Sequence, residues 1–205
     1  MNASPKKNIP DYPGPHDALI LVDIQNDFLP GGSLAVPDGN EILPVINKYI
    51  KLFQAENLPV VATRDWHPPD HCSFKKSGGI WPEHCIAGTE GAQFSNELEL
   101  PSNTLIISKA TESNNEAYSG LDHTELDAQL KKRDVKQVWV GGLATDYCVL
   151  NTVKDFLHLS YTVILLSDAI KAVNVRPDDG ARAEKEMIDN GAVPLTLKEV
   201  KNIIS

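Results

Sequence analysis

Cys148 stands where a predicted strand passes into a predicted helix, within "GGLATDYCVL" at residues 141–150. Thr145 is the expected N-cap of that helix, so the cysteine falls in the first helical turn. Unpaired backbone N–H groups and the positive end of the helix dipole lower the pKa of a thiol in that position. The position therefore favours a nucleophilic thiolate. The alternative is a small buried apolar side chain, which is what most intracellular cysteines provide.

Three more predicted strands end on residues that could take part in the same chemistry. The run "LILVD" ends at Asp23, "VVATRDWH" leads into Asp65 and His67, and "LIISK" ends at Lys109. Ligands bind beyond the carboxyl ends of parallel strands, so we expect these side chains to converge on Cys148.

The aspartate and the lysine among these residues could activate the thiol. An aspartate beside a thiol can take its proton, and a nearby lysine stabilises both of the negative charges involved. Asp23, Lys109 and Cys148 therefore form a self-consistent nucleophile. A buried Asp–Lys ion pair that ties two strands together is the structural alternative.

The motifs "RDWHPPDHCSF" and "IWPEHC" contain a candidate metal site. Asp65 and His67 are alternate residues at a strand end, so their side chains point the same way and can share an ion. His84 can complete a site with three protein ligands, which leaves positions open for water or substrate, as catalytic ions require. His71 is a candidate for a further ligand or for a neighbour of the ligands. The alternatives are a closed structural zinc site that includes a cysteine of this segment, and a solvated loop with incidental histidines.

The hydrophobic pattern predicts the elements that must position these residues. Helical patterns lie between most of the apolar runs, and the clearest is the stripe of Ile42, Ile46, Tyr49, Ile50 and Phe53. Strands that alternate with helices predict an α/β fold with one mostly parallel, Rossmann-like sheet, helices on both faces and right-handed crossovers. The near-continuous apolar runs that predict buried strands are "ALILVDI", "PVVATR", "NTLIISK", "KQVWVGG", "YTVILLSD" and "AVPLT".

The chain is predicted to hold one domain. We expect a mobile, proline-rich leader over residues 1–16 and a single domain over residues 17–205. The segment 64–103 has no clear period, is rich in Pro, Gly, His and Trp, and holds three of the six histidines. A segment of this length without regular structure is usually functional or mobile, and its histidines indicate function.

Composition argues against several function classes. The 205 residues carry a formal net charge of -9 and no large cluster of Lys and Arg, which argues against a nucleic-acid partner. No run approaches the roughly 20 apolar residues of a membrane span, and the N-terminus lacks the apolar run of a secretory signal. Three cysteines, Cys72, Cys85 and Cys148, are too few for a disulfide framework. We therefore expect a cytoplasmic protein that acts on a small molecule.

The motifs, taken in order, resemble those of a known family. "ALILVDIQNDFLPGGSLAV", "TRDWHPPDHCSF", "WPEHCIAGTEGAQF", "AYSGL" and "GGLATDYCV" are similar to motifs of the nicotinamidases, within the cysteine-hydrolase (isochorismatase-like) superfamily. The pair "DWH" and "WPEHC" is typical of the metal-dependent nicotinamidase branch. The resemblance implies the isochorismatase-like hydrolase fold and an amidase that converts nicotinamide to nicotinate and ammonia in NAD salvage. It also implies a thioester intermediate on the cysteine, and it is compatible with a homo-oligomer.

The resemblance further implies a role for each matching residue. A cis peptide bond between Leu143 and Ala144 would turn the amides of Ala144 and Cys148 toward the substrate oxygen and form an oxyanion hole. The expected cofactor is one divalent ion that binds the ring nitrogen, with zinc as first choice and iron or manganese suited to similar ligands. The remaining matches are the catalytic triad Asp23, Lys109 and Cys148, the metal ligands Asp65, His67 and His84, and the substrate-binding residues Phe28, Trp81, Tyr118 and Leu143.

The sequence departs from the family pattern beside the lysine of the triad. Many relatives have glycine there, whereas this chain has Ala110. Two rival functions stay open at this point. One is a hydrolase of the same fold that acts on another amide or on isochorismate. The other is a zinc-binding protein whose thiols serve redox sensing or interaction.

Overall fold

The computed structural model describes residues 13–200, so the expected leader lies mainly outside the described residues. Six strands are present: β1 (Asp17–Val22), β2 (Val60–Asp65), β3 (Leu105–Lys109), β4 (Gln137–Leu143), β5 (Thr162–Lys171) and β6 (Val193–Leu195). They form one sheet, in the order β3-β2-β1-β4-β5-β6, and every pairing is parallel. The predicted α/β fold is confirmed, and each predicted apolar run overlaps one strand.

Helices cover both faces of this sheet. The α-helices of the described region are α1 (Leu43–Ala55), α2 (Leu126–Lys131), α3 (Leu150–His158) and α4 (Asp179–Asp189). The predicted stripe is confirmed, because its last four residues are buried in α1 and Ile42 directly precedes the helix. Buried side chains of α1 belong to one apolar core, and those of α2, α3 and α4 belong to the other.

Strand β1 shows why the apolar runs are nearly continuous. Leu19 and Leu21 pack in the core that contains α1, whereas Ala18, Ile20 and Val22 pack in the opposite core. All six residues of this strand are buried. Because successive side chains of a strand point to opposite faces, a central strand covered on both sides needs apolar residues at nearly every position, and Asp17 at its start is the exception.

The strand order places a crevice at the end of β1. This strand pairs with β2 on one side and with β4 on the other, so the order of the sheet reverses between β1 and β4. Open parallel sheets bind ligands at such a switch point, beyond the carboxyl ends of the strands. Asp23 follows β1 and Ala144 follows β4 at this edge.

The segment between β2 and β3 has little regular structure but is tied to the sheet. It contains one short 3-10 turn, Lys75–Ser77, and isolated bridges join Gln25 to Phe94, His67 to Ile86, and Phe74 to Trp81. These bridges hold its histidines over the carboxyl end of the sheet. Within residues 13–200, no helix is both long enough and apolar enough to cross a membrane.

Candidate active site

Asp23 lies directly after β1 and is fully buried. The backbone turns out of the strand here, with φ of 49° at Asp23. Thr63 of the neighbouring strand fixes the carboxylate, since its hydroxyl donates to Asp23 Oδ1 at 2.6 Å. The second oxygen, Oδ2, accepts no well-directed hydrogen bond in the described part of the protein, although Lys109 Nζ lies 3.0 Å away. Asp23 therefore has one oxygen held and one oxygen available as a base.

Lys109, the last residue of β3, brings its ammonium to the centre of the site. Its Nζ forms a buried ion pair with Asp65 in addition to its contact with Asp23. It also donates to the carbonyl of Ala117 at 3.0 Å and lies 3.5 Å from Cys148 Sγ. The structure thus brings the predicted Asp23, Lys109 and Cys148 together.

Burial and charge set the protonation states of these groups. Burial opposes the charge on Lys109, but the two aspartates outweigh it and raise the pKa of the ammonium well above its ordinary value. Burial also opposes ionisation of Asp65, yet Lys109 and His67 together lower the pKa of this carboxyl. For Asp23 burial dominates and raises the pKa, despite the nearby lysine. A carboxylate with a raised pKa is a stronger base than usual.

The thiol differs from the sequence-based expectation of a lowered pKa. Burial raises the pKa of Cys148 well above its ordinary value, and the charge of Lys109 offsets only part of this effect. The resting thiol is therefore protonated at neutral pH. A nucleophile in this site requires a base that removes the proton during the reaction, and Asp23 is the base at hand.

Cys148 lies in a π-helical turn, Thr145–Val149, which continues directly into α3. Thr145 is not the N-cap; Ala144 occupies that position, and the bond between Leu143 and Ala144 is cis. The carbonyl of Ala144 accepts the amides of Tyr147 and Val149, both at 3.1 Å. The amide of Cys148, which lies between these two donors in the sequence, donates no hydrogen bond to this carbonyl. The π-turn thus directs the Cys148 amide away from the partner that an α-helix would have given it.

Asp65, His67 and His84 form a cluster that fits a metal ion. One potential ligand atom from each of these buried residues lies within 4.8 Å of the others. His67 Nδ1 lies 3.2 Å from the carbonyl of Ala110, and His84 Nδ1 lies 2.8 Å from the carbonyl of Pro82. A ring N–H donated to each carbonyl leaves the Nε2 lone pairs free, which is the arrangement that metal ligands adopt. His67 Nε2 is buried without a hydrogen-bond partner in the described region, which fits an atom meant for an ion.

His71 lies beside this cluster rather than in it. Its ring stacks on that of His67, with centroids 4.1 Å apart. Both of its ring nitrogens have protein partners, Ser73 Oγ at 2.7 Å and the carbonyl of Asn115 at 3.0 Å. This geometry favours a neighbour of the ligands over a fourth ligand.

The two other cysteines do not join a metal cluster in the described part of the chain. The clusters of potential ligands there are Asp65 with His67 and His84, and Asp65 with Asp23 and Cys148. Cys85 is buried beside acidic side chains, and burial raises the pKa of its thiol. The closed structural zinc site that the sequence left open has no support in this geometry.

A narrow pocket opens above Cys148 and reaches the metal cluster. Phe28, Trp81, Tyr118 and Ala144 line this pocket. The first three are the residues predicted to bind substrate, and Ala144 is the residue predicted to help form the oxyanion hole; these roles stay predictions. Leu143, the fourth residue predicted to bind substrate, is not among the lining residues and is buried in the apolar core. Residues of the wall that the sequence analysis missed are Leu34, Val36, Tyr147 and Val173.

Aromatic contacts hold the open side of this pocket. Trp81 Nε1 donates to the hydroxyl of Tyr118 at 3.0 Å, and Tyr147 packs edge-on against the Trp81 ring, with centroids 5.1 Å apart. Phe28 also lines the pocket, and its ring lies 5.6 Å from that of His84. A flat aromatic molecule suits such a site, with one end at the cluster and a substituent at Cys148.

Comparison with known proteins decides the family. A profile for the isochorismatase domain matches residues 17–199. The chain belongs to the isochorismatase family. Within this family, the nicotinamidase of Escherichia coli (strain K12) is 37% identical over 206 residues, which cover 90% of this chain and 97% of the relative.

Two solved structures superpose closely on this chain. The pyrazinamidase of Pyrococcus horikoshii in complex with zinc has a TM-score of 0.86 and 46% identity, covering 89% of this chain and 100% of the relative. PnC1 of L. infantum in complex with nicotinate has a TM-score of 0.84 and 35% identity, covering 92% and 96%. The resemblance inferred from the motifs is therefore confirmed across most of the chain.

Proposed function

We propose that this isochorismatase-family protein is a metal-dependent amidase that hydrolyses nicotinamide to nicotinate and ammonia, as in NAD salvage. One observation carries the proposal: a buried thiol with its base and a metal-type cluster both open into a single aromatic pocket and share Asp65. The curated nicotinamidase relatives and the nicotinate-bound and zinc-bound structural relatives support the same reaction.

The first half of the reaction forms a thioester. Asp23 Oδ2 takes the proton of Cys148, and the sulfur attacks the carboxamide carbon of the substrate. We assign to the amides of Ala144 and Cys148 the hydrogen bonds that stabilise the negative oxygen. Both residues line the pocket, and the Cys148 amide donates no hydrogen bond to the carbonyl of Ala144. The bond to nitrogen then breaks as Asp23 returns the proton, and ammonia leaves.

The second half of the reaction releases the acid. Asp23 takes a proton from water, and the resulting hydroxide attacks the thioester carbon at the same oxyanion site. The sulfur leaves as a thiolate and regains the proton, so one water is consumed for each ammonia released. Lys109 stays protonated in both halves, because its two aspartate neighbours hold its pKa well above the ordinary value. It stabilises each negative charge that appears on Asp23 or on sulfur.

Asp65, His67 and His84 would hold the divalent ion. When bound, the ion supplies a Lewis-acidic position that a pyridine nitrogen can occupy, which orients the ring. One carboxylate and two imidazoles suit zinc first, and the zinc-bound pyrazinamidase relative supports that choice.

Turnover of two matched amides tests the proposal. We expect the zinc-loaded protein to release ammonia from nicotinamide, with kcat/KM at least about a hundredfold above that for benzamide, or roughly 2.7 kcal/mol of transition-state stabilisation. Benzamide has nearly the same shape but lacks the ring nitrogen. Ammonia release from other amides and not from nicotinamide would contradict the substrate assignment, and equal rates on the two amides would contradict the orienting role of the cluster.

A further inference from the structure

Gln25 is a fully buried polar side chain that the reaction as described does not use. All of its carboxamide contacts are to backbone groups. Its Oε1 accepts the amide of Asp65 at 2.8 Å, and its Nε2 donates to the carbonyl of Asp65 at 2.8 Å and to the carbonyl of Ala92 at 2.9 Å. One side chain therefore holds both main-chain groups of a candidate metal ligand.

The register of the sheet explains why a side chain is needed there. β1 ends at Val22, and the backbone turns away at Asp23, whereas β2 continues to Asp65. On the β3 side the ladder goes on, since the amide of Trp66 donates to the carbonyl of Lys109 at 3.1 Å. On the β1 side there is no strand left to pair with. The carboxamide of Gln25 has the same donor and acceptor groups as a peptide unit and takes the place of the missing strand.

The position of Asp65 matters more than that of an ordinary strand residue, because each of its carboxylate oxygens contacts another charged or metal-binding side chain of the candidate site. One oxygen pairs with Lys109, and the other faces His67 Nε2 at 3.6 Å. A small rotation of the Asp65 backbone would move both oxygens at once. The third bond of Gln25, to Ala92, ties the same point to the segment that carries His84.

We propose that Gln25 is a positioning residue that sets the metal affinity of the site by fixing the Asp65 backbone. The inference rests on the proposed metal site and adds a residue to it that touches neither the ion nor the substrate. Residues that orient metal ligands typically change metal affinity by about 10 to 100-fold when they are replaced.

Zinc affinity of Gln25 variants tests this proposal. Gln25→Met keeps the length and removes all three hydrogen bonds, and Gln25→Glu keeps the shape but removes the donor to the two carbonyls. We expect both variants to raise the zinc Kd at least about tenfold in competition with a chromophoric chelator. Gln137→Met is the matched control, because it removes a glutamine hydrogen bond to Asp17 at the opposite edge of the sheet. Its zinc Kd should stay within about twofold of the wild type.

The outcomes separate this proposal from the proposed function. Wild-type protein that binds no zinc would overturn the metal site itself and the present proposal with it. Tight binding by wild type together with an unchanged Kd in the folded Gln25 variants would overturn only the role of Gln25. If neither variant folds, amide hydrogen exchange of the metal-free wild type decides. An Asp65 amide that exchanges only on global unfolding supports the proposal, and one that exchanges as fast as an exposed loop overturns it.

Discussion

Asp65 and Lys109 are register partners at the ends of β2 and β3, and their side chains form an ion pair buried from solvent. The same ammonium lies 3.0 Å from Asp23 Oδ2 and 3.5 Å from Cys148 Sγ. The proposed nucleophilic site and the proposed metal site therefore share one group of buried charges. A change of charge in either part should therefore shift the pKa values of the groups in the other part.

Replacing Cys148 tests whether this thiol alone carries the covalent chemistry. Cys148→Ala should lower kcat for nicotinamide by about four orders of magnitude or more, since Cys148 is the one cysteine that clusters with Asp23 among residues 13–200. Cys72→Ala is the control, because Cys72 lies outside the clusters found among residues 13–200 and should retain wild-type turnover. Substantial turnover by folded Cys148→Ala protein would refute the thioester mechanism.

Alkylation kinetics test the electrostatic role of Lys109. Burial raises the pKa of Cys148 and Lys109 partly offsets this, so the wild-type rate with iodoacetamide should still be rising above about pH 9. Lys109→Met removes the offset, and the rise should move to still higher pH, with slower labelling at neutral pH. Mass spectrometry of the labelled Cys148 peptide gives the rates. A profile that Lys109→Met leaves unchanged would assign the lysine to a purely structural ion pair.

Asp146 should stabilise the part of the pocket wall that contains Val173. Its two carboxylate oxygens accept the amides of Val173 and Asn174 at 2.9 and 2.8 Å, and Val173 lines the pocket. Asp146→Ala should cost about 1 to 2 kcal/mol in free energy of unfolding and raise KM for nicotinamide more than it lowers kcat.

Asp155→Ala on α3 is the control for this prediction. The Asp155 side chain has no hydrogen bond or ion pair within residues 13–200, so its loss should leave both urea unfolding and KM near the wild-type values. Equal effects of the two substitutions would mean that the Asp146 contacts do not support the pocket.

Tyr49 should make the protein sensitive to alkali. Burial raises the pKa of Tyr49. The neighbouring Asp168, which accepts a hydrogen bond of 3.1 Å from the phenol hydroxyl, raises this pKa further. The unfolded chain ionises near pH 10 while the folded phenol stays neutral, so this stabilisation is complete below about pH 10 and is lost as pH rises further. The loss should reach about 1.4 kcal/mol at roughly pH 11.

Urea unfolding at roughly pH 8 and pH 11 measures this effect. Tyr49→Phe should lose less stability than the wild type between the two values, because phenylalanine has no proton to release. Parallel losses in the two proteins would show that Tyr49 does not titrate differently in the folded and unfolded states.

The group of site residues was predictable because parallel strands deliver their carboxyl ends to one edge. An apolar run precedes or includes each of the four residues at this edge, and this regularity can be read from the sequence. The four are Asp23, Asp65, Lys109 and Cys148. Gln25 was missed, although a polar residue two positions after Asp23 that directly follows the buried Ile24 is a usable signal.

Other features depend on tertiary packing that no local pattern reports. The dipole argument at Cys148 predicts a low thiol pKa, but burial by the whole site outweighs it and raises the pKa. The π-turn was also unforeseen, since Thr145 has the side chain of a good N-cap and yet is buried inside the turn. Ala110, the noted departure from the family pattern, adopts a left-handed backbone with φ of 49°, a conformation that glycine adopts without steric cost.

The all-parallel sheet has a consequence for how the protein regains activity after denaturation. Asp17 at the start of β1 pairs with Gln137 at the start of β4, 120 residues later, and none of the neighbouring strands described between residues 13 and 200 are joined by a hairpin. Such distant pairing is slow to form. Asp23 and Cys148 can meet only after it is complete, so recovered helical signal should precede recovered turnover, and ammonia release reports the final assembly of the chain.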